Sequence, residues 1–161
     1  MERNIIEELG SLSLATRLKN LSERLAKDVG KIYKEQSFDF EPRWFAVIYA
    51  LKDNNELAVT EMATMLRQTH PAVNQVANVL VENGLLEESK DIADQRKRLL
   101  KLSKKGQELV AKMEGLWEDI REANDELLGA AKNDFLGSIR DLEAALDDKS
   151  MYERVQERIS K

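Results

Sequence analysis

Apolar residues recur at spacings of three and four over long stretches at both ends of the chain, and this periodicity commits it to a mainly helical fold. Leu14, Leu18, Leu21, Leu25, Val29 and Ile32 form one stripe on a helix predicted over roughly residues 12–35. Ile5, Ile6 and Leu9 make a separate short helical turn, set off by Gly10-Ser11. Leu109, Met113, Leu116, Ile120, Ala123 and Leu127 alternate steps of four and three, a heptad seam on the longest helix, which Ser103 caps. A further helix carries Phe135, Ile139, Leu142 and Leu146, and Ser150 with Glu153 reads as a capping box for a last one bearing Tyr152, Val155 and Ile159.

Between these helices the pattern shortens. Pro42 suits the first turn of a helix running to about Asp53, with Phe45, Ile48 and Tyr49 on one face. Leu57-Ala58-Val59 is a short strand, after which Thr60 is predicted to cap a helix with Glu61 in its first turn and Met62, Ala63 and Leu66 turned inward. Pro71 opens the next helix, which runs to Asn83 with Gly84 as a left-handed cap. The pair reads as a helix-turn-helix. Leu85–Ser89 and Arg98–Leu102 have strand length and composition, and the polar loop KDIADQRK joins them as a hairpin. The fold class is therefore mainly α with a small β-wing: a winged helix-turn-helix over residues 36–105, flanked by long helices at 1–35 and 106–161 in one integrated domain of 161 residues.

Composition narrows the chemistry. Absence of cysteine excludes disulfides, thiolate metal sites and thiol nucleophiles, and one histidine, His70, leaves no material for a histidine metal cage or a catalytic triad. No glycine-rich phosphate loop is present, so neither an enzyme nor a cofactor is indicated. No apolar run approaches the ~18 residues of a membrane span, which predicts a cytoplasmic protein. The net charge is -5, but it is unevenly placed. Residues 90–105 hold seven basic and two acidic groups, whereas residues 36–89 hold three basic and eight acidic ones. A positive patch on an acidic protein draws phosphate to one place; a solvated charged loop would look the same in sequence.

On a wheel of 100° per residue, Val73, Val76, Ala77, Leu80 and Val81 fall on one arc of the second helix of the pair, and Asn74, Gln75, Asn78 and Glu82 on the other. Asn and Gln can offer a donor and an acceptor together to an adenine edge in the major groove, although an ordinary solvated face carries the same residues. Position favours the first reading, because this face follows the turn Gln68-Thr69-His70 and precedes the basic wing.

The run from Thr60 to Gly106 resembles the winged helix-turn-helix of the MarR family of bacterial transcriptional regulators. The resemblance rests on Leu80 to Leu86, where the family has a leucine, three further residues and then Gly-Leu, on Asp94-Gln95-Arg96 in the wing, and on Leu102-Ser103-Lys104-Lys105-Gly106 closing it. It departs from the usual pattern in one respect: residues 71–83 contain no Lys or Arg and include Glu82. The resemblance implies a dimeric, sequence-specific regulator of transcription, a repressor released by a small ligand, with Arg96 entering the minor groove and Asp94 helping to hold it. Narrow minor grooves attract guanidinium groups on physical grounds. The expected DNA-binding set is Thr69, His70, Asn74, Gln75, Asn78, Lys90, Asp94, Arg96, Lys97 and Arg98.

Homodimerisation is expected through Leu14, Leu18, Leu21, Leu109, Met113, Leu116, Ile120, Leu127, Phe135, Ile139 and Leu142, which together offer more apolar surface than a winged helix of about 70 residues covers. A helix of about 39 Å from Ser103 to Leu128 is long enough to set two recognition helices one DNA turn apart. The family's effectors are commonly small, aromatic or anionic and sit between winged and dimerisation regions; Trp44, Phe45, Tyr49 and Trp117, with Arg43 for an anion, are the candidates to line such a site. The same aromatics would equally fill a joint within the fold. The competing function is a winged-helix protein-interaction module without DNA binding, which the acidic 36–89 segment favours.

Overall fold

A computed structural model describes residues 4–160. The chain divides into two compact units, the first ending at Glu114 and the second beginning at Gly115.

The first unit opens with α1 (Ile5–Glu8), capped by the Asn4 carboxamide oxygen, and a 3-10 turn over Gly10–Ser13 in which Gly10 takes φ +52°. The buried Ser13 hydroxyl donates to the carbonyls of Ile6 and Gly10, both at 2.8 Å, and so orients the start of α2 (Leu14–Glu35). The expected stripe on α2 exists, but the described residues leave it open: Leu14, Leu18, Leu21 and Leu25 are each about two-fifths exposed, and only Tyr33 near its end is buried. Pro42–Trp44 form a 3-10 turn ahead of α3 (Phe45–Lys52). The predicted face of α3 divides, because Ile48 is buried with Val47 and Leu51 while Phe45 and Tyr49 stand partly exposed and tilted against each other, 5.1 Å between ring centres.

β1 is Leu57–Ala58. Val59 already belongs to α4 (Val59–Met65), so Ala58 rather than Thr60 is the cap residue, and the Glu61 carboxylate accepts the Ala58 N–H at 3.1 Å. A carboxylate at the third helical position reaches back to the orphan donor more readily than a threonine already inside the helix. Arg67, at φ +49°, turns the chain towards α5 (His70–Glu82), which ends at Asn83 with Gly84 at φ +71°. β2 (Leu86–Lys90) and β3 (Arg98–Leu102) pair antiparallel, Leu86 opposite Leu102 and Lys90 opposite Arg98; β1 adds to the other edge of β3, giving the order β1-β3-β2. Leu80, Leu100, Met62, Val73 and Ala77 are wholly or almost wholly buried and form the heart of this unit's core.

α6 (Lys104–Gly129) begins where β3 ends. Ser103 caps it: its hydroxyl accepts the Gly106 N–H at 3.0 Å and donates to the Gly84 carbonyl at 2.7 Å, while its own N–H meets the Leu85 carbonyl at 3.0 Å. The division between units falls inside α6 because these first turns are sewn to the wing. The residues buried along it are Gly106, Val110, Met113 and Trp117, a line offset from the expected seam. Met113 is fully enclosed by the chain itself and so leaves the dimerisation set, whereas Leu109, Leu116 and Ile120 are partly covered and Leu127 is exposed.

In the second unit α6 is followed by α7 (Phe135–Asp148) and α8 (Met151–Ile159). Asp134 caps α7 through the Gly137 N–H at 2.9 Å, and Ser150 and Glu153 exchange the two bonds of the predicted capping box; the Ser150 hydroxyl and N–H, both donating to the Glu153 carboxylate, hold that carboxyl below its usual range. No residue of α7 or α8 is buried; Phe135, Leu142 and Leu146 keep between a third and a half of their surface exposed. Among the described residues no helix is long and apolar enough to cross a membrane.

Gly106 has no room for a side chain, since a Cβ there would lie 2.2 Å from the Leu85 carbonyl oxygen, whereas nothing lies within 4 Å of one at Gly115. Gly106→Ala should cost about 1–3 kcal/mol by forcing that backbone apart, and Gly115→Ala should gain up to about 1 kcal/mol from helix propensity. Urea melts of the two variants check the opposite signs.

Candidate nucleic-acid interface

α5 is held at its start by Thr69, whose hydroxyl accepts the Ala72 N–H at 3.3 Å, and its apolar arc is packed inward as the wheel predicts. The opposite arc is open: Gln75, Asn78 and Glu82 are exposed and Asn74 is half-buried. The basic group that this helix lacks comes from the sheet. Arg98 shares a face of β3 with Leu100, which is buried; at the strand's end that face runs past the core, and the guanidinium reaches α5. Its Nη1 donates to Asn78 Oδ1 at 2.7 Å and to Asn74 Oδ1 at 3.1 Å. Its Nε and Nη2 meet Glu88 Oε2 at 2.7 and 2.5 Å. Glu88 is the diagonal cross-strand neighbour, two residues along β2 from Lys90, which stands opposite Arg98. Asn74 completes the chain, its Nδ2 lying 3.1 Å from His70 Nδ1.

The wing loop between β2 and β3 is organised by Asp91, which the sequence reading passed over. Its carboxylate accepts the N–H groups of Ala93 at 2.7 Å and Asp94 at 3.0 Å, and these bonds hold its carboxyl below the usual carboxylate range. Main-chain bonds from Asp91 to Lys97 and from Lys97 to Asp94 close the loop. Asp94 does hold Arg96, but by its backbone: Asp94 Oδ1 accepts the Arg96 N–H at 3.0 Å and no bond to the guanidinium accompanies it. Arg96, Lys97 and Lys90 are exposed, and Ile92 at the tip is 97% exposed.

The structure thus brings Asn74, Asn78, His70 and Arg98 into one network and places Lys90, Arg96 and Lys97 on the adjoining wing. It divides the basic run: Lys101 pairs with Glu87 at 3.1 Å, and Lys105 donates to the Asn83 carbonyl at the end of α5. Thr69 is occupied as a cap. Two expectations change. The amide oxygens of Asn74 and Asn78 are taken by Arg98, so neither side chain is set for a two-bond contact with adenine. Arg43 is paired with Glu41, Nε to Oε2 at 2.5 Å, and does not stand open for an anion.

The expected effector residues differ in burial. Trp44 is buried edge-on against Phe40, which meets Tyr33 in the same way, ring centres 5.6 and 5.2 Å apart. Phe40 and Tyr33 lie outside any regular apolar stripe, so periodicity does not mark them. The Trp44 Nε1–H is buried with no hydrogen-bond acceptor among the described residues. Trp117, in the second unit, is mostly buried.

The sequence model of the MarR family matches residues 38–97, from the approach to α3 through the wing loop. This winged segment belongs to the MarR family. Solved MarR-like structures share the fold over most of the chain. The S. aureus MepR–DNA complex is 15% identical with a TM-score of 0.66 and covers 83% of this chain and 96% of its own. A MarR family regulator from Neisseria meningitidis is 24% identical with a TM-score of 0.60, covering 97% and 99%. BpsR of Bordetella bronchiseptica, whose DNA binding is regulated by 6-hydroxynicotinic acid, is 23% identical with a TM-score of 0.56, covering 81% and 98%. No curated protein sequence gives a significant match. The MarR segment ends at Lys97, so the Ser103–Gly106 closure lies beyond it.

If Asp91 orders this MarR wing, Asp91→Ala should lower the backbone order parameters of Ala93 and Asp94 while leaving α5 unchanged. A carboxyl depressed by folding supports the loop above its ordinary value of 3.8 and loses that support as pH falls through the lowered one. Order parameters of the unaltered protein should therefore hold down to pH 4 or so and drop only below it.

Proposed function

We propose that the chain is a homodimeric, sequence-specific DNA-binding regulator of transcription, acting as a repressor that a small aromatic or anionic ligand releases. The observation that carries this reading is the juxtaposition of an exposed amide face on α5 with a closed wing that presents Arg96 and Lys97 to solvent. A helix of this kind fits the major groove, and an unpaired wing arginine suits the negative potential of the minor groove beside it. Membership of the winged segment in the MarR family, and the DNA held by MepR, support the same assignment.

Dimerisation would cover the open leucine row Leu14, Leu18, Leu21 and Leu25 on α2 and the exposed apolar residues of α7, which a solitary chain leaves in water. Ligand response finds its support in Trp44, whose buried N–H has no acceptor among the described residues and would bond a carboxylate or phenolic oxygen brought to it. By analogy with BpsR, whose DNA binding is regulated by 6-hydroxynicotinic acid, a small aromatic ligand is proposed as the regulator.

Titration of fluorescent duplex DNA tests the main assignment. Binding should weaken on Arg96→Ala to a similar degree for every sequence, with the slope of log affinity against log salt reduced by about one, whereas Gln75→Ala should cost about 1–3 kcal/mol of discrimination between selected and random DNA. Failure to bind any duplex at physiological salt would leave the protein-interaction reading. Sedimentation of the free protein should give a species of twice 18.4 kDa, and a monomer at micromolar concentration would overturn the dimer. Salicylate should quench tryptophan emission saturably, lose most of that response in Trp44→Phe, and lower DNA affinity by the factor with which DNA lowers its own.

A further inference from the structure

Arg98 uses four of its five N–H donors within the chain, two on the asparagine oxygens and two on Glu88. A guanidinium has no acceptor, so the oxygen of each asparagine must be the atom facing it, and the amide nitrogen is the atom turned away. The Asn78 Nδ2 has no hydrogen-bond partner among the described residues, and Asn78 is exposed on the arc that faces outward. Asn74 gives one N–H to His70 and keeps one. The fifth N–H of Arg98 is also left over. At Asn74 and Asn78 the outer face of α5 therefore displays donors and has its acceptors turned inward, while the exposed Gln75 keeps both.

Resting on the reading of α5 as the base-reading helix, we propose that Arg98 is a specificity-determining residue that acts through the asparagines: it locks Asn78 as a donor and directs the helix to guanine. Guanine is the base that offers two acceptors, O6 and N7, on its major-groove edge, whereas adenine pairs an acceptor with a donor and needs a free amide oxygen to be read by two bonds. Glu88 is the positioning partner. It holds Nε and Nη2, fixes which edge of the guanidinium meets α5, and offsets a charge that would otherwise seek phosphate.

Selection of randomised duplex DNA by the full-length protein, followed by sequencing, tests this without foreknowledge of the site. Asn78→Asp keeps an oxygen for Arg98 but replaces the outward N–H₂ by an acceptor, so the position that Asn78 reads is the one whose preference changes, from guanine to cytosine. Arg98→Met keeps the side-chain stem while releasing both amides, and at that position adenine should rise at least fivefold relative to guanine. Circular dichroism checks that each variant is folded; the exposed Asn78→Asp change carries the test should Arg98→Met not fold. Adenine at that position in the unaltered protein's pool, or a pool unmoved by Asn78→Asp, overturns the inference while leaving DNA binding intact. An unaltered protein that enriches no sequence overturns the DNA-binding reading and this inference with it.

Discussion

One hydroxyl holds the winged unit in register. Ser103 Oγ caps α6 and binds the Gly84 carbonyl at the end of α5, and the Ser103 N–H bonds Leu85 just ahead of β2. The start of α6 is thus tied to the α5–β2 junction about twenty residues earlier through a single residue, and Gly106 lets the α6 backbone close over Leu85 without a Cβ between them. Because side-chain orientation in a strand alternates, the register of this ladder decides which residues of β3 face inward; a slip of one would exchange Leu100 and Arg98 for their neighbours. The delivery of Arg98 to α5 is a downstream result of that closure.

The electrostatics of the outer face are more balanced than the basic run implies. Lys101 and Arg98 are matched by Glu87 and Glu88 on the neighbouring strand, and Lys105 is spent on the carbonyl end of α5. Exposed pairs of this kind add little stability, but they cancel charge where it would act at long range. Of the rest of the basic run, the groups without an ion-pair partner among the described residues are Lys90, Arg96 and Lys97 on the wing and Lys104 at the start of α6. Attraction and base discrimination are accordingly assigned to different parts of the molecule.

Much of this architecture is legible in the sequence. The helices, the wing, the Gly84 cap and the reciprocal Ser150–Glu153 box follow from periodicity and capping chemistry, which are local. What the periodicity misses is set by packing partners from elsewhere in the chain. α6 buries Val110 and Trp117 instead of following its heptad, and α3 splits Ile48 from Phe45 and Tyr49, because the surface each helix faces selects the buried arc. Tyr33 and Phe40 sit at a helix end and in a loop, where no period applies. The structure brings the expected α5 residues His70, Asn74 and Asn78 together with Arg98 of the wing, but the bonds that join them are not legible in the sequence. Two asparagines on a wheel look free to read adenine until β3 supplies a guanidinium twenty and twenty-four residues away. Asp91 was likewise hidden among the charges of its loop, its role visible only once the Ala93 and Asp94 amides point at it.

The bonds that Asp91 and Asp94 make close the wing tip before anything is bound. A loop that arrives already ordered surrenders little further conformational freedom on contact, so the gain from each new interaction at Arg96 and Lys97 is not consumed in folding the segment that carries them. The same rigidity limits adaptation. A wing built this way recognises surfaces whose groove already has a compatible width, and its tolerance for other shapes must come from the long side chains at its rim, not from its backbone.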